Sequence, residues 1–172
     1  TATASTGGLL ARAFVDAEAG VRGIRIVFDD TDAAYPVTID PLATSPAWTA
    51  EGDQAYANFG ASVATAGDVD GDGYSDVVVG APSYDNGQAD EGRAYVYRGS
   101  AAGLSATPAW TAEGGLISAR FGVSVSTAGD VDGDGYSDVI VGAECFSNGQ
   151  TYEGRAYVYR GSAAGVSASP AW

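Results

Sequence analysis

Aspartates recur in the run Asp68-Val69-Asp70-Gly71-Asp72-Gly73-Tyr74-Ser75-Asp76, and the same nine residues return unchanged from Asp130 to Asp138. Each copy has Asp at positions 1, 3, 5 and 9 and Gly at position 6. The chemistry this pattern suits is the binding of a hard cation. Calcium takes about six to eight oxygen ligands at short range, and alternating Asp on a tight loop supplies them. Asp68, Asp70, Asp72 and Asp76 are therefore candidate ligands, with the backbone carbonyl of Tyr74 completing the set. Asp130, Asp132, Asp134, Asp138 and the Tyr136 carbonyl form the second candidate set. Gly73 and Gly135 permit the sharp bend that returns position 9 to the ion.

The residue types select calcium over other metals. An EF-hand needs a bidentate Glu at position 12, and that position here is Val79 or Val141. Zinc prefers N and S ligands, whereas the chain has no His and one Cys. Magnesium keeps several waters and rarely takes a dedicated cage. The plain alternative is an acidic surface turn with no ligand. Two copies with the whole spacing argue against it. The loops precede short apolar runs (Val77-Val-Val79 and Val139-Ile-Val141), so the expected ion stiffens a loop between strands rather than acting as a sensor between helices.

The loops belong to a longer repeat. Trp48, Trp110 and Trp172 are spaced by 62 residues, and between 48–109 and 110–171 there are 46 identical positions. Each unit reads as short strands separated by Gly and Asp. In the first they are expected at Ala47–Glu51, Phe59–Thr65, Val77–Ala81 and Arg93–Arg98. In the second they are expected at Ala109–Glu113, Phe121–Thr127, Val139–Ala143 and Arg155–Arg160. Tyr95 and Tyr97 alternate onto one face. Val77–Val79 suits a strand covered on both sides. No stretch has helical periodicity with caps. The expected fold class is all-β, with four-stranded antiparallel sheets of the β-propeller-blade type.

Phe59-Gly60 and Gly80-Ala81-Pro82 bracket the first Asp loop, and Phe121-Gly122 and Gly142-Ala143-Glu144 bracket the second. With these motifs, residues 46–172 resemble the FG-GAP repeats of the integrin α-subunit propeller and its bacterial secreted relatives. Glu144 departs from the family's Pro. The resemblance implies an extracellular or cell-surface β-propeller, with two Ca2+ sites on the Asp and Tyr residues named above. It divides the chain into residues 1–45, 46–107 as a first blade, and 108–172 as a second blade with the start of a third repeat.

Residues 1–45 differ from the rest. Val21–Phe28 and Tyr35–Asp40 alternate apolar with polar positions and flank a polar turn at Asp29–Ala33, which reads as a β-hairpin. Thr1–Gly8 is small and polar, and is expected to be mobile unless tied down. The segment Tyr35–Pro41 resembles the end of an upstream domain in bacterial secreted proteins, with Leu42–Pro46 as linker.

The net charge is −14, and eight of the 22 acidic residues lie in the two loops. This balance disfavours nucleic acid and anionic membranes as partners. No stretch is long and apolar enough for a membrane-spanning helix. The lone Cys145 aligns with Ser83 and permits no internal disulfide. Without His there is no Ser-His-Asp or Cys-His constellation. Glu51/Glu113 and Glu91/Glu153 recur as structural residues would. No enzyme activity is expected. Arg93 and Arg155 are expected to make polar contacts within blades, and the Trp residues to pack between blades. Tyr56, Tyr84 and Phe146 stand in loops and are the candidates for ligand contact. The expected role is an extracellular adhesion or structural scaffold. Its expected partners are further blades or copies of itself, with a cell-surface protein or glycan as ligand. Two other readings are a self-assembling filament subunit, since near-identical units can stack head to tail, and a carbohydrate-binding accessory module of a secreted hydrolase.

Overall fold

A computed structural model describes the strands Thr3–Thr6, Leu9–Asp16 and Gly23–Phe28 and residues 45–172. The chain divides into two compact units, Thr1–Thr44 and Ser45–Trp172. All regular structure among the described residues is β, and no helix there is long and apolar enough to cross a membrane.

In the first unit β1 (Thr3–Thr6), β2 (Leu9–Asp16) and β3 (Gly23–Phe28) form an antiparallel sheet in that order. The strand expected at Val21–Phe28 is present as β3, but it pairs with β2, Ile26 opposite Ala13. Tyr35–Asp40 and the turn before it lie outside the described residues. Thr1–Gly8, expected to be mobile unless tied down, supplies β1, which is tied down by pairing from Thr3–Arg12 to Thr6–Leu9. Threonine suits this because its branched Cβ favours extended backbone. The signal for β2 is the alternation of Leu9, Ala11, Ala13 and Val15, diluted by its alanines.

The second unit contains two sheets. In the first, β4 (Ser62–Gly67), β5 (Asp76–Ala81), β6 (Arg93–Tyr97) and β7 (Trp110–Glu113) lie side by side, all antiparallel. The second sheet orders β8 (Phe121–Gly129), β9 (Asp138–Ala143) and β10 (Arg155–Tyr159) the same way. β7 belongs to the second repeat by sequence, yet it is the outer strand of the first sheet. Val96 pairs with Trp110, and Arg93 pairs with Glu113, to which its guanidinium is salt-bridged. The first sheet is thus completed by the opening residues of the next repeat, and the second has three strands. At the end of the chain the Ala171 N–H donates to the Val158 carbonyl at 2.7 Å, and the Val158 N–H donates to Trp172 at 3.0 Å. The segment Ala47–Glu51, expected to be a strand, forms none, because no third strand stands beside it among the described residues.

The two sheets face each other across one core. Val69, Val78, Val96 and Trp110 from the first meet Phe121, Val139, Val141 and Tyr159 from the second, all buried. The other face of the first sheet carries Val79, Tyr95 and Tyr97, covered by Trp48, Ala50 and Phe59. β5 is therefore covered on both faces, with Val78 and Val79 at 0% and 2% exposure. Trp110, in the outer strand of the first sheet, packs edge-on against Tyr159 of the second at 4.8 Å, whereas Trp48 meets Tyr97 of its own repeat at 5.0 Å. The Phe-Gly pair has a steric basis. Phe121 fills the core, and Gly122, at φ 85°, presses its carbonyl against Gly80, where a Cβ would collide with it.

Burial raises the phenols of Tyr95 and Tyr159 from 10.0 to about 12. Unfolded phenols ionise first, so their contribution to stability is complete below pH 10 and is lost as pH rises toward about 12. In an alkaline titration followed by phenolate absorbance, these two groups ionise in the last phase. Tyr95→Phe and Tyr159→Phe each shrink that phase. An unchanged late phase in both variants contradicts the packing.

Candidate metal centres

Each Asp loop links the first two strands of its sheet, β4 to β5 or β8 to β9. Asp68 opens the first loop and organises it: Oδ1 accepts the N–H groups of Gly71 at 2.7 Å and Asp72 at 3.1 Å, and Oδ2 accepts that of Gly73 at 2.9 Å. Gly71 and Gly73 have φ of 75° and 88°, which lets those amides turn inward. Asp72 closes a local turn by accepting the Tyr74 N–H at 2.9 Å. Asp76 is fully buried, and its two oxygens accept the Val69 and Gly99 N–H groups, both at 2.8 Å.

The second loop repeats this network. Asp130 accepts from Gly133, Asp134 and Gly135 at 2.8, 3.0 and 2.9 Å. Asp134 accepts from Tyr136 at 3.0 Å, and Asp138 accepts from Val131 and Gly161, both at 2.9 Å.

Of the predicted ligands, the structure brings together Asp68, Asp70 and Asp76 in one loop, and Asp130, Asp132 and Asp138 in the other. Within each trio one carboxylate oxygen per residue lies within 4.8 Å of the others. Asp72 and Asp134 fall outside these trios. The Tyr74 ring is exposed, and Tyr136 reaches back across the sheet interface to lie against Gly71 of the first loop.

Three carboxylates at this range are costly without a cation: a pair of like charges about 4 Å apart repels by about 4 kcal/mol at an effective dielectric of 20. Burial pushes the Asp76 carboxyl above its usual value of 3.8, the N–H groups of Val69 and Gly99 pull it back, and the charges of Asp70 and Asp72 raise it again. Asp70 is decisive for the donor set. Its side chain is 8% exposed and Arg98 Nε holds Oδ2 at 3.1 Å, while Oδ1 is buried with no hydrogen-bond partner. A buried, charged, unpartnered oxygen beside two other carboxylates suits a hard divalent ion.

Two residues of the site were not legible as such. Arg98 and Arg160 each place Nε 3.1 Å from the second loop Asp, Asp70 or Asp132. The signal was their recurrence at the end of Gly-Arg-Ala-Tyr-Val-Tyr-Arg-Gly-Ser in both units. Of the loop aromatics expected to meet a ligand, Tyr84 and Phe146 are instead buried, with the guanidinium groups of Arg93 and Arg155 over their rings at 3.8 and 3.9 Å. Such stacking satisfies the cation and leaves the ring no free face. Tyr56 is exposed.

Loss of Asp76 strands two buried N–H groups whether or not metal is present. Asp76→Ala is expected to destabilise the chain by about 1–3 kcal/mol per stranded group in urea unfolding with chelator. Asp72→Ala, at an exposed turn, costs less in the same assay. Equal losses refute the anchoring role of Asp76.

Comparison with known proteins follows the same residues. The FG-GAP repeat matches at 59–97 and 121–159, spanning both phenylalanine-glycine pairs and both Asp loops. Integrin alpha-5 of Xenopus laevis is 33% identical over 135 residues, which is 76% of this chain and 12% of that protein. Integrin alpha-PS2 of Drosophila melanogaster is 42% identical over 121 residues, 65% of this chain and 8% of that protein. Integrin alpha-V of Gallus gallus is 42% identical over 96 residues, 54% of this chain and 9% of that protein. The chain carries two FG-GAP repeats, is similar to integrin α subunits over most of its length, and spans at most 12% of these relatives.

Proposed function

We propose that this chain, as a pair of FG-GAP blades, is a calcium-binding extracellular scaffold for adhesion or structural display rather than an enzyme. The observation that carries the reading is the pair of Asp trios, one with a buried oxygen left without a partner. Asp68, Asp70 and Asp76 would hold one calcium ion, and Asp130, Asp132 and Asp138 the other. Asp72, Asp134 and the carbonyls of Tyr74 and Tyr136 are the further oxygens within each loop. The ion would neutralise the converging charge and fix the loop against its sheet. Loops of this kind work where calcium is plentiful, which supports a place outside the cell. The upstream Tyr35–Pro41 segment supports a secreted chain of bacterial type.

Calorimetric titration of the chelator-stripped chain tests this. Two calcium ions are expected to bind, with a rise in Tm. Asp70→Asn and Asp132→Asn are each expected to remove one ion. Absence of heat together with an unchanged Tm overturns the reading.

A second reading, self-association or docking of further blades, rests on a different observation. The outer face of the second sheet carries Val131, Ile140, Val158 and Trp172, the counterparts of Val69, Val78, Val96 and Trp110 in the core. Val131 is 47% exposed and Trp172 59%, whereas Val69 and Trp110 are at 1% and 9%. Light scattering is expected to show association in calcium that Val158→Asp abolishes. A monomer at all concentrations removes this reading and leaves the first intact.

A further inference from the structure

The two Asp loops are identical in sequence but not in surroundings. The first is built into the contact between the sheets. The Asp68 N–H donates to Ser137 Oγ at 3.2 Å, and the Asp68 carbonyl accepts the Ser137 N–H at 2.9 Å. The Val69 carbonyl accepts the Ser162 N–H at 3.0 Å, and the Val69 side chain is in the shared core. The second loop has no such neighbour among the described residues, and Val131 is exposed.

Arg98 joins the first loop to the second sheet. Its Nε holds Asp70 Oδ2 at 3.1 Å, and its terminal nitrogen donates to the Ala164 carbonyl at 2.9 Å, in the turn after β10. The same guanidinium that orients the loop carboxylate therefore also grips the neighbouring blade. Arg160 keeps the first contact, 3.1 Å from Asp132, but its guanidinium lies over the Trp172 ring at 4.9 Å.

We propose that Arg98 is a positioning residue coupling cation binding in the first loop to docking of the second blade. Arg98 engages only Oδ2 of Asp70, so Oδ1 is left to the cation. Groups that hold a ligating carboxylate in place raise metal affinity without touching the metal. Coupling of this kind is reciprocal: docking tightens the first site, and cation binding there tightens docking. The first site is therefore the tighter of two sites with identical ligands, and it alone reports on the contact between blades. This inference rests on the calcium reading above.

The test uses the whole chain. Calcium titration with Asp70→Asn and Asp132→Asn assigns the two wild-type affinities, the first expected to be about tenfold tighter. Arg98→Lys keeps the charge but has no planar fork to bridge carboxylate and carbonyl together. It is expected to weaken the first site about tenfold and speed amide exchange at Ser137 and Ser162, with calcium and without. Arg160→Lys is expected to weaken only the second site and leave those amides unchanged. Equal wild-type affinities overturn the proposal but not calcium binding, and need no variant to fold. A first site unchanged or tightened by Arg98→Lys also overturns it, making Arg98 a bystander or a competing cation. A wild-type chain that binds no calcium overturns both readings.

Discussion

Asp76 accepts N–H bonds from Val69 and Gly99 while fully removed from solvent, and Asp138 does the same for Val131 and Gly161. Much of the second unit depends on this arrangement. Taking a carboxylate out of water costs several kcal/mol unless its oxygens are satisfied. Two backbone donors offset part of that cost, and charge-assisted bonds are the stronger kind. The donors are also structural choices. Val69 is the second residue of the loop, and Gly99 follows the third strand, so one buried charge fixes both relative to β5. With Val69 held there, its side chain enters the core between the sheets. The acidic loop and the apolar core are thus parts of one construction.

The exchange of strands between repeats adds a second constraint. Because β7 closes the first sheet while lying in the second repeat, the blades share a continuous stretch of chain through Trp110–Phe121. Trp110 pairs with Val96 in one sheet and packs edge-on against Tyr159 of the next. Gly92 bridges Phe121, and the N–H groups of Phe121 and Arg120 donate to Glu91 and Asp90, each at 3.0 Å. Separating the sheets would expose the apolar faces and also break backbone bonds, so the two blades are expected to behave as one cooperative unit.

The repeat, the all-β class and the apolar strands were legible because each has a local signature: an offset of 62 residues, alternation at Tyr95 and Tyr97, and the run Val77–Val79. The convergence of the loop carboxylates was legible in outline, since alternating Asp on a glycine-bent loop leaves few other arrangements. Roles set by residues distant in sequence were not legible. Nothing local marks Arg98 as a partner of Asp70, or shows that Tyr84 is capped by Arg93 rather than free for a ligand. The strand expected at Ala47–Glu51 misled for the same reason. Its copy Trp110–Glu113 is a strand because β6 lies beside it, so the same sequence becomes a strand or not according to its neighbour. At the N-terminus, β3 read clearly as a strand, but its pairing with β2 could not be read from alternation alone.

That dependence on neighbours applies to the loops as well. Two nonapeptides without a single difference fold into the same internal hydrogen-bond network, with matching distances at Asp68 and Asp130. Local chemistry is therefore fixed by local sequence. What differs lies outside the nonapeptide: Ser137, Ser162 and the Ala164 carbonyl surround the first copy, and the outer face of the second sheet surrounds the other. Near-identical repeats need not be equivalent sites, because a repeat in a stack is defined by its own residues and by the face its neighbour presents. In this chain the first loop is bonded to the second blade, and the equivalent groups of the second loop have no such neighbour among the described residues.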